Sequence, residues 1–144
     1  MVGGQSREPA LSASGDAPSA GITVLVVDDE PLIRAWIAQA LGRFGIEAIL
    51  AADGRQALRL VTDGVIRPQV LLTDLEMPSM GGVELAARIH AIRPGIRIVM
   101  MTGDVGRAAA ARERSTIVAA VLDKPILISD LVAAVRPDPE AVAP

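Results

Sequence analysis

Four apolar runs of this chain each end on polar side chains that suit phosphate and metal chemistry. The runs cover residues 24–27, 70–72, 98–101 and 118–122, and the polar residues after them are Asp28 with Asp29, Asp74, Thr102 and Lys124. Near-continuous runs of Val, Ile and Leu are typical of parallel strands that are buried on both faces. Ligands of such sheets bind outside the carboxyl ends of the strands. We therefore expect these side chains to share one site.

The three carboxylates of this group, Asp28, Asp29 and Asp74, favour a metal site. Carboxylates that crowd together repel, and without a cation at least one of them would have its pKa raised. A magnesium ion would relieve the repulsion, because Mg²⁺ typically takes one or two carboxylates together with waters and a phosphate oxygen. The alternative is that each aspartate only caps the helix that follows it. Capping accounts well for Asp29 but poorly for Asp74, since Pro78 and two glycines delay the next helix.

Asp74 is the best candidate for a nucleophile, because its run is predicted to lie in the middle of the sheet. A carboxylate can form an aspartyl phosphate, and phosphoryl transfer requires mainly positioning and neutralisation of the phosphoryl oxygens. Mg²⁺ would neutralise one side, and Lys124 with the Thr102 hydroxyl the other. The chain has 13 arginines but only this lysine, and a compact ammonium suits a point contact with a phosphoryl oxygen. An arginine-rich composition could also explain the single lysine.

Composition narrows the remaining kinds of function. The chain has 144 residues, of which 51% are hydrophobic, enough for the core of one domain. A net charge of −3 gives no basic footprint for direct binding of nucleic acid. The chain has no cysteine for a disulfide or a thiolate, and its single histidine, His90, excludes a metal site with several histidines. The two common glycine-rich phosphate loops are absent, so ATP is not an expected substrate.

The chain ends differ in composition from the middle. Residues 1–20 predict a disordered leader and residues 137–144 a proline-rich tail, which leaves a single domain over residues 21–136. No apolar run approaches the roughly 20 residues that a membrane span requires, and the first residues lack the apolar segment of a secretory signal. We expect a cytoplasmic protein that does not bind membranes.

Within the domain, strands and helices are predicted to alternate as five βα units. The strands are residues 22–27, 46–51, a third ending at Asp74, 98–101 and 118–122. The helices are residues 31–44 after a cap at Asp29 or Glu30, 56–61, one carrying Leu85, Ile89 and Ile92, an alanine-rich one opened by Gly103 to Gly106, and a last one capped by Ser129 or Asp130. Short links between such units predict an α/β fold, a doubly wound parallel sheet of five strands with helices on both faces.

Four motifs, in this order, resemble those of response-regulator receiver domains from two-component signalling. They are Val26-Val27-Asp28-Asp29-Glu30-Pro31, Thr73-Asp74-Leu75-Glu76-Met77-Pro78, Met101-Thr102-Gly103 and Asp123-Lys124-Pro125. Asp29 and Asp74 are 45 residues apart, Asp74 and Thr102 are 28 apart, and Thr102 and Lys124 are 22 apart. The resemblance covers residues 22–136. It implies the flavodoxin-like strand order 2-1-3-4-5.

The resemblance also implies roles for single residues. Asp74 would be the phosphoacceptor, Thr102 the switch hydroxyl and Lys124 the phosphate contact. Asp29 and Asp74 would bind Mg²⁺ directly, Asp28 largely through water, and the backbone carbonyl of Glu76 would complete the protein ligands. The Lys124–Pro125 bond corresponds to one that is often cis in the family.

Three positions depart from the family pattern. Val121 stands where the family usually has an aromatic residue, so the usual aromatic rotation is not expected here. Met80-Gly81-Gly82 replaces Met-Asp-Gly, and Ser115-Thr116 replaces a Gly-Ala turn. Residues 103–116 carry few apolar anchors besides Val105, and we expect this segment to be the softest part of the fold, as either a mobile switch or a frayed helix.

The favoured interpretation is a stand-alone receiver, monomeric or weakly dimeric, that is not an enzyme beyond its own phosphorylation and dephosphorylation. Its partners would be a sensor histidine kinase or a phosphotransfer protein, and a downstream protein target. One alternative is a small Mg²⁺-dependent phosphatase acting through an aspartyl phosphate, although phosphatases of the haloacid dehalogenase type require Asp-x-Asp where Asp28 and Asp29 are adjacent. The other is a scaffold module that never carries phosphate.

Overall fold

The chain folds into five parallel strands that alternate with five helices. The computed structural model describes residues 21–114 and 116–136. The strands are β1 Thr23–Val27, β2 Glu47–Ala51, β3 Val70–Asp74, β4 Arg97–Thr102 and β5 Val118–Asp123. The helices are α1 Pro31–Gly42, α2 Gly54–Thr62, α3 Gly82–Ile92, α4 Val105–Arg114 and α5 Ile128–Val135. The strand order is β2-β1-β3-β4-β5, so the predicted doubly wound sheet of order 2-1-3-4-5 is confirmed.

Successive residues of the strands pack into two separate cores, one on each face of the sheet, because side chains alternate between the two faces. Leu25 and Val27 of β1 face a core that they share with residues of α2, α3 and α4. Val24 and Val26 face the other core, which α1 and α5 cover. The central strands β1, β3 and β4 are buried on both faces, which explains their continuous apolar sequences. The edge strands β2 and β5 are partly exposed.

Several predicted boundaries and caps differ from the structure. Helix α1 ends at Gly42 rather than Phe44, and Phe44 is 39% exposed under the guanidinium of Arg136. Strand β2 begins at Glu47 instead of residue 46, and α2 begins at Gly54 because Asp53 accepts a hydrogen bond from the Gln56 amide. The N-cap position of α1 is Glu30, but its side chain makes no capping bond.

The predicted caps of α5 are wrong. Ser129 and Asp130 lie inside the helix, whose N-cap position is Leu127. Their position in the first turn is favourable for Asp130, because a negative charge there complements the helix dipole.

The expectation that Val105 anchors the segment after β4 is also wrong. Val105 is 80% exposed at the start of α4, and the residues of α4 that pack on the sheet are Ala108 and Ala111. In α3, Leu85 and Ile89 are buried, whereas Ile92 is 44% exposed. Helix α4 thus contacts the core through small side chains, which bury little apolar area.

The predicted leader and tail, residues 1–20 and 137–144, lie outside the described part of the chain. Within the described residues, no helix is both long enough and apolar enough to cross a membrane.

Candidate functional site

Four strand ends bring the predicted side chains together at one edge of the sheet. Strand β1 runs into Asp28, β3 ends with Asp74, β4 ends with Thr102, and Lys124 follows β5. Lys124 Nζ lies 3.3 Å from Asp28 Oδ2 and 3.4 Å from Asp74 Oδ2. Asp28 and Thr102 are fully buried and Asp74 is 5% exposed, while the Lys124 side chain keeps 22% of its surface. The site thus consists of buried carboxylates that the Lys124 ammonium contacts.

Asp28, Asp29 and Asp74 form a cluster that fits a divalent cation. One carboxylate oxygen from each lies within 4.8 Å of the others, and Asp29 is exposed while the other two are buried. Burial raises the pKa of Asp74, the neighbouring charge of Asp28 raises it further, and the attraction of Lys124 only partly offsets both effects. An all-oxygen site with excess negative charge and an open side suits Mg²⁺, which binds carboxylates and keeps several waters.

Asp28 connects this cluster to the loop before α1. Its Oδ1 accepts a hydrogen bond of 2.8 Å from the Glu30 amide, and its carbonyl accepts one of 2.6 Å from the Arg34 guanidinium. Asp28 thereby takes the local bonding role that the sequence suggested for Asp29 or Glu30. The pKa of Lys124 reflects the same cluster: burial disfavours its charge, but the attraction of Asp74 and Asp28 outweighs that effect and raises the pKa.

Thr102 is held by contacts on both sides of its hydroxyl. Its Oγ1 lies 3.2 and 3.3 Å from the two carboxylate oxygens of Glu76 and accepts a hydrogen bond of 3.0 Å from the Asp104 amide. Its carbonyl accepts a hydrogen bond of 2.8 Å from the Lys124 amide, which fixes the end of β5 beside β4. The Lys124–Pro125 peptide that follows is cis.

Comparison with known proteins decides the family. Residues 24–136 match the response regulator receiver domain. The chain belongs to this family. Receiver domains are signalling modules that bind Mg²⁺ at an acidic pocket and interact with histidine kinases or phosphotransfer proteins.

Relatives and solved structures agree with that assignment. The chain is 34% identical over 114 residues to the DNA-binding transcriptional regulator NtrC of Azospirillum brasilense, covering 79% of this chain and 23% of the relative. It is 37% identical over 79 residues to the sporulation initiation phosphotransferase F of Bacillus subtilis, covering 55% of this chain and 62% of the relative. The receiver therefore spans less than two thirds of either relative.

A receiver domain protein from Clostridium thermocellum superposes with a TM-score of 0.71 at 29% identity, over 79% of this chain and 90% of that chain. The chemotaxis protein CheY4 of Vibrio cholerae gives 0.70 at 28% identity, over 79% and 95%. Both solved structures are similar to this chain over nearly their whole length, which supports the same fold.

The loop from β3 to α3 positions Asp74 in this receiver. Asp74 Oδ1 accepts a hydrogen bond of 3.3 Å from the Glu76 amide, and the Leu75 amide donates one of 2.8 Å to the Met101 carbonyl. Ser79 takes a left-handed conformation with φ of 70°. The loop then returns so closely that a Cβ on Gly82 would collide with the Asp74 carbonyl oxygen and lie 2.9 Å from Leu75 Cα.

This close return predicts that Gly82→Ala destabilises the receiver by about 2 kcal/mol or more, because the clash is with backbone atoms that cannot rotate away. Urea unfolding would measure the loss. Gly42→Ala is the matched control: no atom lies within 4 Å of its Cβ position, and an alanine there should leave stability unchanged or raise it by up to about 1 kcal/mol. Equal stability of Gly82→Ala and the wild type would contradict the close approach.

Three side chains near the site were not predicted from the sequence. The Glu76 side chain contacts Thr102, although only its backbone carbonyl was expected to take part. Arg107 Nε lies 3.3 Å from Glu76 Oε2, and Arg112 donates a hydrogen bond of 2.9 Å to the Val121 carbonyl. A salt-bridging arginine in α4 gives no signal in the local sequence, since its partner depends on where the helix begins and how it crosses the sheet.

Val121 is the residue of β5 for which the sequence predicted no aromatic switch. Its side chain is 8% exposed, and it packs in the core that lies under α4. Arg112 of α4 spans the outer edge of β5, contacting the Val121 carbonyl and lying 3.8 Å from Asp123 Oδ2. Arg112 therefore connects α4 to β5 by polar contacts beside Val121, while the Val121 side chain itself packs in the core.

Proposed function

We propose that this receiver accepts a phosphoryl group on Asp74 in a Mg²⁺-dependent reaction and signals by a change in its binding to a protein partner. The observation that carries the proposal is the position of Lys124, whose ammonium contacts both Asp28 and Asp74 at the carboxyl edge of the sheet. A cation in that position can neutralise an incoming phosphoryl group without blocking the free side of Asp74.

The reaction would transfer the phosphoryl group from a phosphohistidine of a histidine kinase or phosphotransfer protein. The Asp74 carboxylate attacks phosphorus, an O–P bond forms, the N–P bond breaks, and its electron pair returns to the imidazole nitrogen. Lys124 donates to one phosphoryl oxygen, and Thr102 lies at the end of the neighbouring strand to donate to another.

Asp29 and Asp74 would hold Mg²⁺ directly, with the Glu76 carbonyl as a further ligand and Asp28 acting largely through water. When bound, the ion would neutralise charge on the phosphoryl oxygens. The cytoplasmic location, the monomeric or weakly dimeric state and the identity of the downstream protein stay predictions.

The output would begin at Thr102. Phosphorylation adds about −1.5 to −2 charge and three acceptor oxygens, which would draw the Thr102 hydroxyl toward Asp74. The segment that follows Thr102 would move with it, because Val121 is stiff at χ1 and offers no ring to rotate. The altered α4 and β5 would form the changed binding surface.

Phosphoryl uptake tests this proposal. Incubation with acetyl phosphate and Mg²⁺ should load about one phosphoryl group per chain, visible as an increase in intact mass that alkaline hydrolysis removes. EDTA should prevent the loading. Steady turnover of p-nitrophenyl phosphate would instead favour a phosphatase, and no uptake from acetyl phosphate or from any histidine kinase would favour a scaffold.

A further inference from the structure

The hydroxyl of Thr102 already makes hydrogen bonds in the structure, both as a donor and as an acceptor. A threonine hydroxyl has one proton to donate, and the acceptor within reach is the carboxylate of Glu76, at 3.2 and 3.3 Å. Its lone pair accepts the Asp104 amide at 3.0 Å. Thr102 is fully buried, so solvent does not compete for this proton. The hydroxyl can donate to a phosphoryl oxygen only after it leaves Glu76.

Glu76 is in turn held from the side of α4. Arg107 Nε lies 3.3 Å from Glu76 Oε2, and the Arg107 amide donates a hydrogen bond of 3.0 Å to Asp104 Oδ1. The same guanidinium lies 3.9 Å from Asp104 Oδ2. These contacts close a ring of four residues, Thr102, Glu76, Arg107 and Asp104, which joins the end of β4 to the first turn of α4.

We propose that Arg107 is a positioning residue that holds Glu76, and through it the Thr102 hydroxyl, in the unphosphorylated arrangement. The proposal rests on the proposed phosphorylation of Asp74. A phosphoryl group there would attract the Thr102 hydroxyl and repel the carboxylate of Glu76, two residues away in the chain. Both effects oppose the contact that Arg107 maintains. Phosphorylation and the Arg107–Glu76 contact therefore compete, and breaking the contact frees the first turn of α4.

If Arg107 instead favoured phosphorylation, its removal would have the opposite effect. A guanidinium that merely neutralised Glu76 would ease the approach of the phosphoryl group, and its removal would weaken phosphorylation. Competition instead requires that its removal strengthen the phosphorylated state. The direction of the effect separates the two roles.

Beryllofluoride with Mg²⁺, which mimics the phosphoryl group, provides the measurement. Arg107→Ala should raise the apparent affinity for beryllofluoride on the order of 2- to 5-fold, the range expected for loss of an exposed ion pair. Arg107→Lys should restore the wild-type value because it keeps the charge. In a Glu76→Gln background, Arg107→Ala should have no further effect. Arg88→Ala is the matched control, since Arg88 pairs with Glu84 within α3, and it should leave the affinity unchanged.

A lower or unchanged affinity in Arg107→Ala would overturn the proposal, as would an effect that persists in Glu76→Gln. Failure of the proposed function is a separate result, in which the wild type itself does not bind beryllofluoride. Hydrogen exchange of the metal-free protein then decides: the amides of residues 104–108 should exchange faster in Arg107→Ala than in the wild type. That difference should disappear in the Glu76→Gln background. Equal exchange in Arg107→Ala and the wild type would also overturn the proposal.

Discussion

The Asp74→Asn receiver should take up no acyl phosphate and, without Mg²⁺, should be more stable than the wild type. The asparagine cannot act as the nucleophile, but it also removes a charge that burial disfavours and that Asp28 repels, and these two effects together outweigh the attraction of Lys124. We expect a gain of about 1 kcal/mol in the free energy of unfolding. Asp63→Asn, at an exposed position at the end of α2, is the control and should change stability by less than about 0.5 kcal/mol.

Mg²⁺ should reverse the order of the two proteins. At ten times its dissociation constant, a ligand that binds only the folded wild type adds about 1.4 kcal/mol, which corresponds to a rise in melting temperature of about 5 °C. Asp74→Asn should gain much less, because it has lost one of the carboxylates of the cluster. Equal shifts for both proteins would place the ion elsewhere.

The stability difference should also depend on pH in a defined direction. The pKa of Asp74 in the folded receiver is raised above its ordinary value of 3.8. A raised carboxyl pKa means that the folded state binds the proton of Asp74 more tightly than the unfolded state does. Protonation of Asp74 therefore stabilises the folded state fully below the pKa of the unfolded state, and this stabilisation is lost as pH rises through the pKa of the folded state. The advantage of metal-free Asp74→Asn should therefore shrink as pH falls toward 4. A difference that stays constant in urea unfolding from pH 7 to 4 would contradict this origin.

Lys124→Met should destabilise the metal-free receiver by about 3 kcal/mol at neutral pH, since removing one partner of a buried ion pair leaves the other charges uncompensated. Met has a similar length without the ammonium, so the loss is mainly electrostatic. Adding Asp74→Asn to Lys124→Met should recover much of the loss, because the repulsion with Asp28 is relieved.

Lys124→Arg separates charge from shape. It should stay close to the wild type in urea unfolding because it keeps the positive charge. Asp74 should nevertheless be phosphorylated poorly in this variant, because a planar guanidinium cannot make the point contact with a phosphoryl oxygen that a compact ammonium makes. Lys124→Met within about 0.5 kcal/mol of the wild type would show that the contacts of Lys124 with Asp28 and Asp74 carry little weight.

The strand-end residues could be predicted because parallel strands buried on both faces have a simple sequence signature. Each run of Val, Ile and Leu must end at the same edge, so the polar residues after the runs must meet there. Asp28, Asp74, Thr102 and Lys124 follow from that reasoning alone, and the structure places them together. Their chemical roles do not follow from position, and they stay proposals.

The segment around α4 could not be predicted in the same way. Alanines give little indication of which face of a helix is buried, so the sequence points to Val105 as the anchor, whereas Ala108 and Ala111 pack on the sheet. The contact between Glu76 and Arg107 depends on a loop conformation and on the start of α4. Residue spacing encodes neither the loop conformation nor the start of α4. The arginine itself gives no signal either, because exposed arginines are common in this chain.

The cap predictions failed for a related reason. Asp and Ser near a helix start both suit an N-cap, and the sequence does not show which residue lies at the boundary. At α1 the Asp28 carboxylate bonds the Glu30 amide instead. At α5 the helix begins before Ser129 and has no side-chain cap.

The position of the phosphoryl group can be mapped after loading with acetyl phosphate and Mg²⁺, which tests directly whether Asp74 is the phosphoacceptor. Borohydride reduces an aspartyl phosphate to homoserine, which mass spectrometry of peptides can assign to one position. Homoserine is expected at position 74 alone, and it should be absent when EDTA is present and absent from Asp74→Asn. Homoserine at Asp28 or Asp29, or loading that persists in full in Asp74→Asn, would contradict it.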